Sequence, residues 1–303
     1  MNSTLNRADI LRLKKKKKRI RALKKNLVYI PLILFAIIAI MPMYYLIITA
    51  CKGLEEASTQ ATMWPKTFDL VNNIKFVLSY PTYNVGRMFL NTMFIFILKT
   101  FGTIITCSMA AYGFAMYKFP KKKIIFFILI ATMMIPGELL NIPIYEFWVN
   151  VGLKEVMYIP LWVSTWFATD VFVIFLFRQF FLGMKKELIE AARIDGYNEV
   201  QIFFKIVAPI NKNVFITVII LYFIGTYNDL YGPALYITKQ QNWVMANSIT
   251  IFENLYRSGS SSYLVPWNYV SVAALIGMIP EILLFAFMQK SFMESVSGVE
   301  VKG

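Results

Sequence analysis

Histidine is absent from the 303 residues, cysteine occurs only as Cys51 and Cys107, and 16% of the residues are charged, against roughly 25% in soluble domains. Without histidine there is no imidazole general base, no Ser-His-Asp or Cys-His nucleophilic site and no ligand set for most zinc centres. No metal, cofactor or catalytic residue is expected. The two cysteines could pair in an oxidising compartment, but the topology derived below sets them towards opposite ends of neighbouring helices, which argues against a disulfide. What replaces the missing polar chemistry is apolar surface, since 58% of the chain is hydrophobic and 16% aromatic. A water-soluble globular enzyme is excluded in favour of a membrane chain.

Crossing the hydrocarbon core takes about 20 mainly apolar residues, and six stretches of that kind occur. They run from Leu27 to Ala50, Met88 to Tyr117, Ile124 towards Ile144, Met157 to Phe177, Val214 to about Tyr231, and Tyr269 to Gln289. The second is interrupted by Lys99, the third carries Glu138, the fourth Asp170 and the sixth Glu281. Pro136, Pro143, Pro160 and Pro280 predict kinked or broken helices. The first stretch also fits a lipoprotein leader ending at Cys51, but its apolar run exceeds the ~7 to 15 residues of a signal core and five further spans follow. A retained helix is the expectation.

The net charge of +14 is unevenly placed. Residues 1–26 carry eleven basic side chains against Asp9, for +10, and the other 277 residues carry only +4. With the amino terminus inside, the cytoplasmic segments hold 23 Lys and Arg and the external ones seven, so the positive-inside rule places both termini in the cytoplasm. Trp64, Trp148, Trp162, Trp166, Trp243 and Trp267 then all fall in external loops or outer helix halves, where interfacial anchoring and sugar stacking are alternative uses. The arm's Lys14 to Lys18 run fits anionic membrane lipid and insertion polarity. Nucleic acid is not an expected partner, because nothing downstream offers a reading surface.

The segment 181–212 carries the most specific pattern. Lys185 to Ile194 are good helix formers, with Leu188, Ala191, Ala192 and Ile194 gathered on or near one face, and Gly196 supplies a stop where positive φ costs little. Asn198 followed by Gln201 is a capping-box pattern that starts a second helix, and Pro209 precedes the next span. Small residues let a partner's backbone approach, and Glu190, Arg193 and Asp195 supply charges that fix register. A docking knob and an amphipathic hairpin lying on the inner membrane surface are both consistent with this.

Glu190-Ala191-Ala192, three residues, Gly196, nine residues, Ile206, two residues and Pro209 resemble the EAA loop of binding-protein-dependent ABC importer permeases, with Ala208 in place of the usual Leu. The likeness covers nearly the whole chain and points to the maltose-type second permeases of the carbohydrate-uptake group. Ala110-Ala111-Tyr112 with Lys118-Phe119-Pro120 resembles their first cytoplasmic loop, and Met134-Ile135-Pro136 with Ile142-Pro143 their third span. Asn228-Asp229 with Pro233 resembles their Trp-Asn-Asp motif, Tyr227 replacing the Trp, and Val301-Lys302-Gly303 their usual ending, where Glu300 is atypical.

This resemblance implies an all-α, six-helix type I importer domain over residues 27–303, after a basic arm at 1–26. It implies a second permease subunit, two ABC ATPase subunits gripping Glu190, Ala191, Ala192, Arg193, Asp195, Gly196, Ile206 and Pro209, and an extracytoplasmic solute-binding protein. The implied solute is a sugar, oligosaccharide, polyol or glycerol-phosphate-like molecule, and the location an inner or plasma membrane. ATP would be bound by the partners, since this chain has no Gly-Lys-Ser or Gly-Lys-Thr phosphate loop. Asn91, Asp170, Asn228, Asp229 and Glu281 are candidates for the solute pathway, helix packing being the alternative for each. An ion-coupled secondary transporter is the rival function, but paired midplane carboxylates and repeated halves are missing. A membrane enzyme would need a catalytic cluster that is also missing.

Overall fold

The structure, a computed structural model, describes the backbone of residues 7–255 and 265–297 and the side chains of residues 29–253 and 265–289. The arm's basic side chains, Arg257 and the ending Val301-Lys302-Gly303 lie outside the described residues. Among the described residues all regular structure is helical.

Helix α1 (Arg7–Cys51) passes through Pro31 and Pro42 without ending, and its apolar part spans Tyr29–Cys51. Short helices α2 (Leu54–Thr59) and α3 (Leu70–Ser79) follow at one end of the bundle, then α4 (Val85–Met116), whose start is capped by the Asn84 side chain accepting from Arg87 N. The third span is broken. Helix α5 (Lys122–Thr132) stops before Pro136, and Gly137–Val151, ending in α6 (Asn141–Val151), turns away by 82°. Proline's missing N–H and its restriction of the preceding residue account for the break.

The fourth span is continuous in its course but irregular at its middle. Helix α7 (Ile159–Trp162) tightens into a 3-10 turn at Val163–Phe167, Ala168 turns left-handed at φ 52°, and α8 (Val171–Leu182) restarts with Asp170 as its cap. This span reaches Leu182 rather than Phe177, which the sequence expectation placed at its end. Next come α9 (Lys186–Ile194), α10 (Glu199–Ile202), a π-helical turn at Phe203–Val207 and α11 (Ala208–Ile210). An 80° bend then leads into α12 (Lys212–Tyr227), the fifth span, which stops four residues short of Tyr231. Helices α13 (Tyr231–Tyr236), α14 (Ser248–Leu255) and α15 (Trp267–Ser297), with Pro280 inside it, complete the chain. Four helices are long and apolar enough to cross a membrane among the described residues, and six spans result if each bent pair counts as one.

Helix α4 is the centre, packing on α8, α7 and α12, while α15 packs on α1, α3, α12 and α14. One buried cluster joins Cys107, Ala111 and Tyr112 of α4 to Ile174 and Phe177 of α8 and Val214 of α12. A second, towards the opposite end, joins Met88 of α4, Phe223 and Tyr227 of α12, Phe252 and Val272. Most of α1 from Tyr29 to Met41 is exposed apolar surface, as expected of a face turned to lipid or to another subunit. Cys51 and Cys107 are both free and buried.

Trp166 packs between α4 and the fourth span. Its indole N–H donates to Leu98 O at 3.1 Å, and its ring lies where a Cβ on Gly102 would stand 2.5 Å from Trp166 Cδ1. Gly102 is the notch in α4 that receives the irregular fourth span, so this Trp serves helix packing.

Candidate functional site

The hairpin between the fourth and fifth spans is built as two arms on one core. Its first arm, α9, buries Ile189 and Ala192, while Glu190, Ala191, Leu188 and Ile194 face outward, Ile194 being 86% exposed. The expected grouping of Leu188, Ala191, Ala192 and Ile194 on one face is thus corrected. Ile189 and Ala192, three residues apart, turn inward, whereas Leu188, Ala191 and Ile194 stay exposed.

Gly196 ends the arm at φ 83°, and its N–H donates to Arg193 O at 3.1 Å. A left-handed residue is what this turn needs, and glycine takes that conformation without a Cβ penalty. The second arm starts with a complete capping box: Asn198 Oδ1 accepts from Gln201 N at 2.8 Å, and Gln201 Oε1 accepts from Asn198 N at 3.0 Å. Ile202, Phe203 and Val207 then join Ile189 and Ala192 in the core cluster of α4, α8 and α12. The π-helical turn at Phe203–Val207 includes Ile206, which is half-buried, and Pro209 follows exposed.

A polar latch closes the turn. Arg193 Nε donates to Glu199 Oε1 at 2.8 Å, and Tyr112 OH of α4 donates to Glu199 Oε2 at 2.8 Å. Tyr117, just beyond α4, lies near this carboxylate and carries the Arg193 guanidinium 5.9 Å from the centre of its ring. The Arg193 hydrogen bond, opposed by partial desolvation and helped by the two tyrosine hydroxyls, holds the Glu199 carboxyl below the usual range. Asp195 is exposed at the C-cap of α9. Glu199 and Tyr117 were not singled out from sequence, and Tyr112 entered only within the Ala110-Ala111-Tyr112 likeness. The available signal was the Arg193–Glu199 spacing across a turn that the capping box already defined.

Of the solute-pathway candidates, Asn228 and Glu281 come together. Asn228 Nδ2 donates to Glu281 Oε1 at 2.6 Å, joining the end of α12 to the middle of α15, and both line a cleft of about 800 Å³ with Tyr227, Ser248, Gly277 and Met278. Asp229 turns the other way, accepting from Gly232 N at 2.9 Å and facing Lys99 of α4 at 3.9 Å. Asp170 lies apart from these. It caps α8 by accepting from Val173 N at 3.1 Å, accepts from Tyr222 OH at 2.7 Å, and borders a second cleft with Thr132, Thr165 and Thr169. Asn91 gives its amide hydrogens to Gln241 O at 3.2 Å and Trp243 O at 2.9 Å, tying α4 to the loop before α14. The described residues contain no group of three or more acidic or cysteine side chains that could hold a metal ion.

Such an arrangement has the mechanics of a lever: whatever moves the outer face of α9 moves a hairpin wedged into three spans, which flank polar clefts. Residues 102–297 match the family described as binding-protein-dependent transport system inner membrane component. The melibiose/raffinose/stachyose import permease protein MelC of Bacillus subtilis (strain 168) is 30% identical over 93% of this chain and 100% of its own length. The arabinooligosaccharides transport system permease protein AraQ of the same organism is 29% identical over 72% of this chain and 74% of its own. The sn-glycerol-3-phosphate transport system permease protein UgpE of Escherichia coli (strain K12) is 30% identical over 71% and 73%. In fold, the chain is similar to a chain of a bacterial ABC transporter involved in import of the acidic polysaccharide alginate, with a TM-score of 0.72 and 20% identity over 96% of this chain and all of that one. The chain therefore belongs to the inner membrane components of binding-protein-dependent transport systems, and is a multi-pass ABC importer permease of the cell membrane.

Proposed function

We propose that this permease is one of two that form the pathway of an ATP-driven importer for a sugar, oligosaccharide, polyol or glycerol-phosphate-like solute. Two ABC ATPase subunits hold Glu190, Ala191, Ala192, Arg193, Asp195, Gly196, Ile206 and Pro209, and ATP is bound there rather than by this chain. An extracytoplasmic binding protein delivers solute at the other end, and both termini are cytoplasmic. ATP-driven closure of the ATPases pushes α9, and the spans packed on it tilt between inward-facing and outward-facing states. The observation that carries this reading is the hairpin itself: an exposed outer surface bearing Leu188, Glu190, Ala191, Arg193 and Ile194, on an inner face fixed to α4, α8 and α12.

The solute class is supported by the names of the relatives, which concern oligosaccharides and a glycerol phosphate. Asn228 and Glu281 are the proposed solute contacts, since a carboxylate and an amide side by side accept from and donate to neighbouring hydroxyls. Asp229 and Asp170 serve the same pathway as charges at membrane depth, where ionisable groups face cavities or partners. Asn91 holds the loop at its mouth. Reconstitution of the assembled transporter with its binding protein in vesicles tests the reading, with raffinose, an arabino-oligosaccharide and glycerol 3-phosphate as solutes. Uptake should follow ATP supplied on the hairpin side and persist with an ionophore present. Uptake without ATP, lost on adding the ionophore, would overturn it.

A further inference from the structure

At the hairpin end of the bundle a group of cations stands without an ion-pair partner among the described residues. Lys118, Lys121, Lys122 and Lys123 surround the start of α5, Arg178 lies one turn before the end of α8, and Lys186 opens α9. Lys122 stands within electrostatic reach of both Arg178 and Lys186. The Arg178 guanidinium lies 4.2 Å from the centre of the Phe126 ring, one turn beyond Lys122 on α5, so it is held beside the first turn of that helix. Lys122 Nζ donates to Tyr117 O at 2.7 Å, which fixes the ammonium at the same place with donors to spare.

Three further observations define what this place lacks. Among the described residues, none of these six cations is paired with a carboxylate. Arg178 Nε is buried without a hydrogen-bond partner. Helix α5, eleven residues long, starts without a side-chain cap, from Lys121 in the left-handed region at φ 58°. Gathered like charges repel, a buried unpaired donor is costly, and an uncapped helix start favours negative charge. An anion with several acceptor oxygens relieves all three.

The neighbouring surface identifies the source of that anion. Ile124, Ile125, Phe127 and Ile128, running along α5 from the cation cluster, are exposed and apolar. A ligand that joins a phosphate to acyl chains fits both parts, and a headgroup carrying its own ammonium would be repelled by the cluster. We propose that the start of α5, Arg178 and Lys186 form a headgroup site for an anionic phospholipid, its phosphate among Lys122, Arg178 and Lys186 and its chains along α5.

Native mass spectrometry of the full chain, extracted with the subunits that accompany it, tests this. Lys14 to Lys18 are replaced by Gln beforehand, so that the arm does not compete, and phosphatidylglycerol, phosphatidylcholine or inorganic phosphate is titrated in. Phosphatidylglycerol should be retained at least about ten-fold better than phosphatidylcholine, and Lys122→Gln and Arg178→Gln should each weaken that retention about five-fold, with Arg178→Lys restoring most of it. Equal retention of the two lipids, unchanged retention in Arg178→Gln, or displacement of phosphatidylglycerol by inorganic phosphate would overturn the proposal. If Arg178→Gln does not fold, the comparison of headgroups on the protein with Arg178 intact decides alone.

Discussion

Arg193 and Glu199 face each other across 2.8 Å on either side of the Gly196 turn, and the second Glu199 oxygen is held by Tyr112 of α4. One carboxylate thus ties both arms of the hairpin to the central span. The buried Ile189 and Ala192 of α9 join the same core as α4, so the two elements are connected through packing as well as through this latch.

Acid should loosen the latch. Because Glu199 is held below its ordinary value chiefly by the Arg193 hydrogen bond, its contribution is fully present above the unfolded carboxyl value, about 4.3, and is lost as pH falls from there through the lower folded value. Hydrogen exchange of residues 186–207 should be steady from pH 7 to about 5 after correction for intrinsic rates, and should rise below about 4. Glu199→Gln should raise exchange at neutral pH and remove most of that pH dependence.

The capping box sets the start of the second arm. Asn198→Ala leaves the Gln201 N–H without its side-chain acceptor and should cost about 1 kcal/mol, read as roughly five-fold faster exchange in the first turn of α10. Asn198→Asp retains an acceptor and should stay near the original rate.

Gly102 is a contact rather than a flexible point. A Cβ there would stand 2.5 Å from Trp166 Cδ1, and the Trp166 ring is fixed by its bond to Leu98 O. Gly102→Ala should destabilise the protein by about 1–3 kcal/mol through overpacking, measured as a lower thermal midpoint in detergent. Trp166→Phe combined with Gly102→Ala should recover part of the loss.

The cleft between α12 and α15 gives a functional prediction. Asn228→Leu removes the donor to Glu281 and puts an apolar side chain into the cleft, so uptake by the assembled transporter should fall more than about ten-fold, since a polar contact offered to the solute is lost. ATPase subunits should co-purify in normal amount, which separates a solute contact from a coupling defect.

Several of these features were open to a reader of the sequence. The long, mainly apolar stretches marked the spans because each backbone polar group in lipid has to be satisfied within a helix. Pro136 marked the break of the third span, and Asn198 with Gln201 marked the second arm down to the hydrogen bonds. The irregular turn within the fourth span was hidden: no Gly or Pro stands between Val163 and Asp170, and Trp166 of that turn packs against Gly102 of α4. Helical periodicity could place Ile189 and Ala192 three apart, but only the position of α4 and α8 shows which face turns inward. The partners of Asn228, Asp229 and Glu281 were also illegible, because Asn228 and Asp229 are adjacent in the chain and reach different helices.

The claim that the outer face of α9 receives the ATPases is tested most directly by the amount of ATPase that co-purifies with the chain from membranes. Glu190 is exposed on that face, so Glu190→Arg reverses a docking charge without disturbing the core. The expected result is a loss of ATPase of at least about ten-fold with an unchanged amount of permease in the membrane. A full complement of ATPase, with ATP-driven uptake at the original rate, would contradict it.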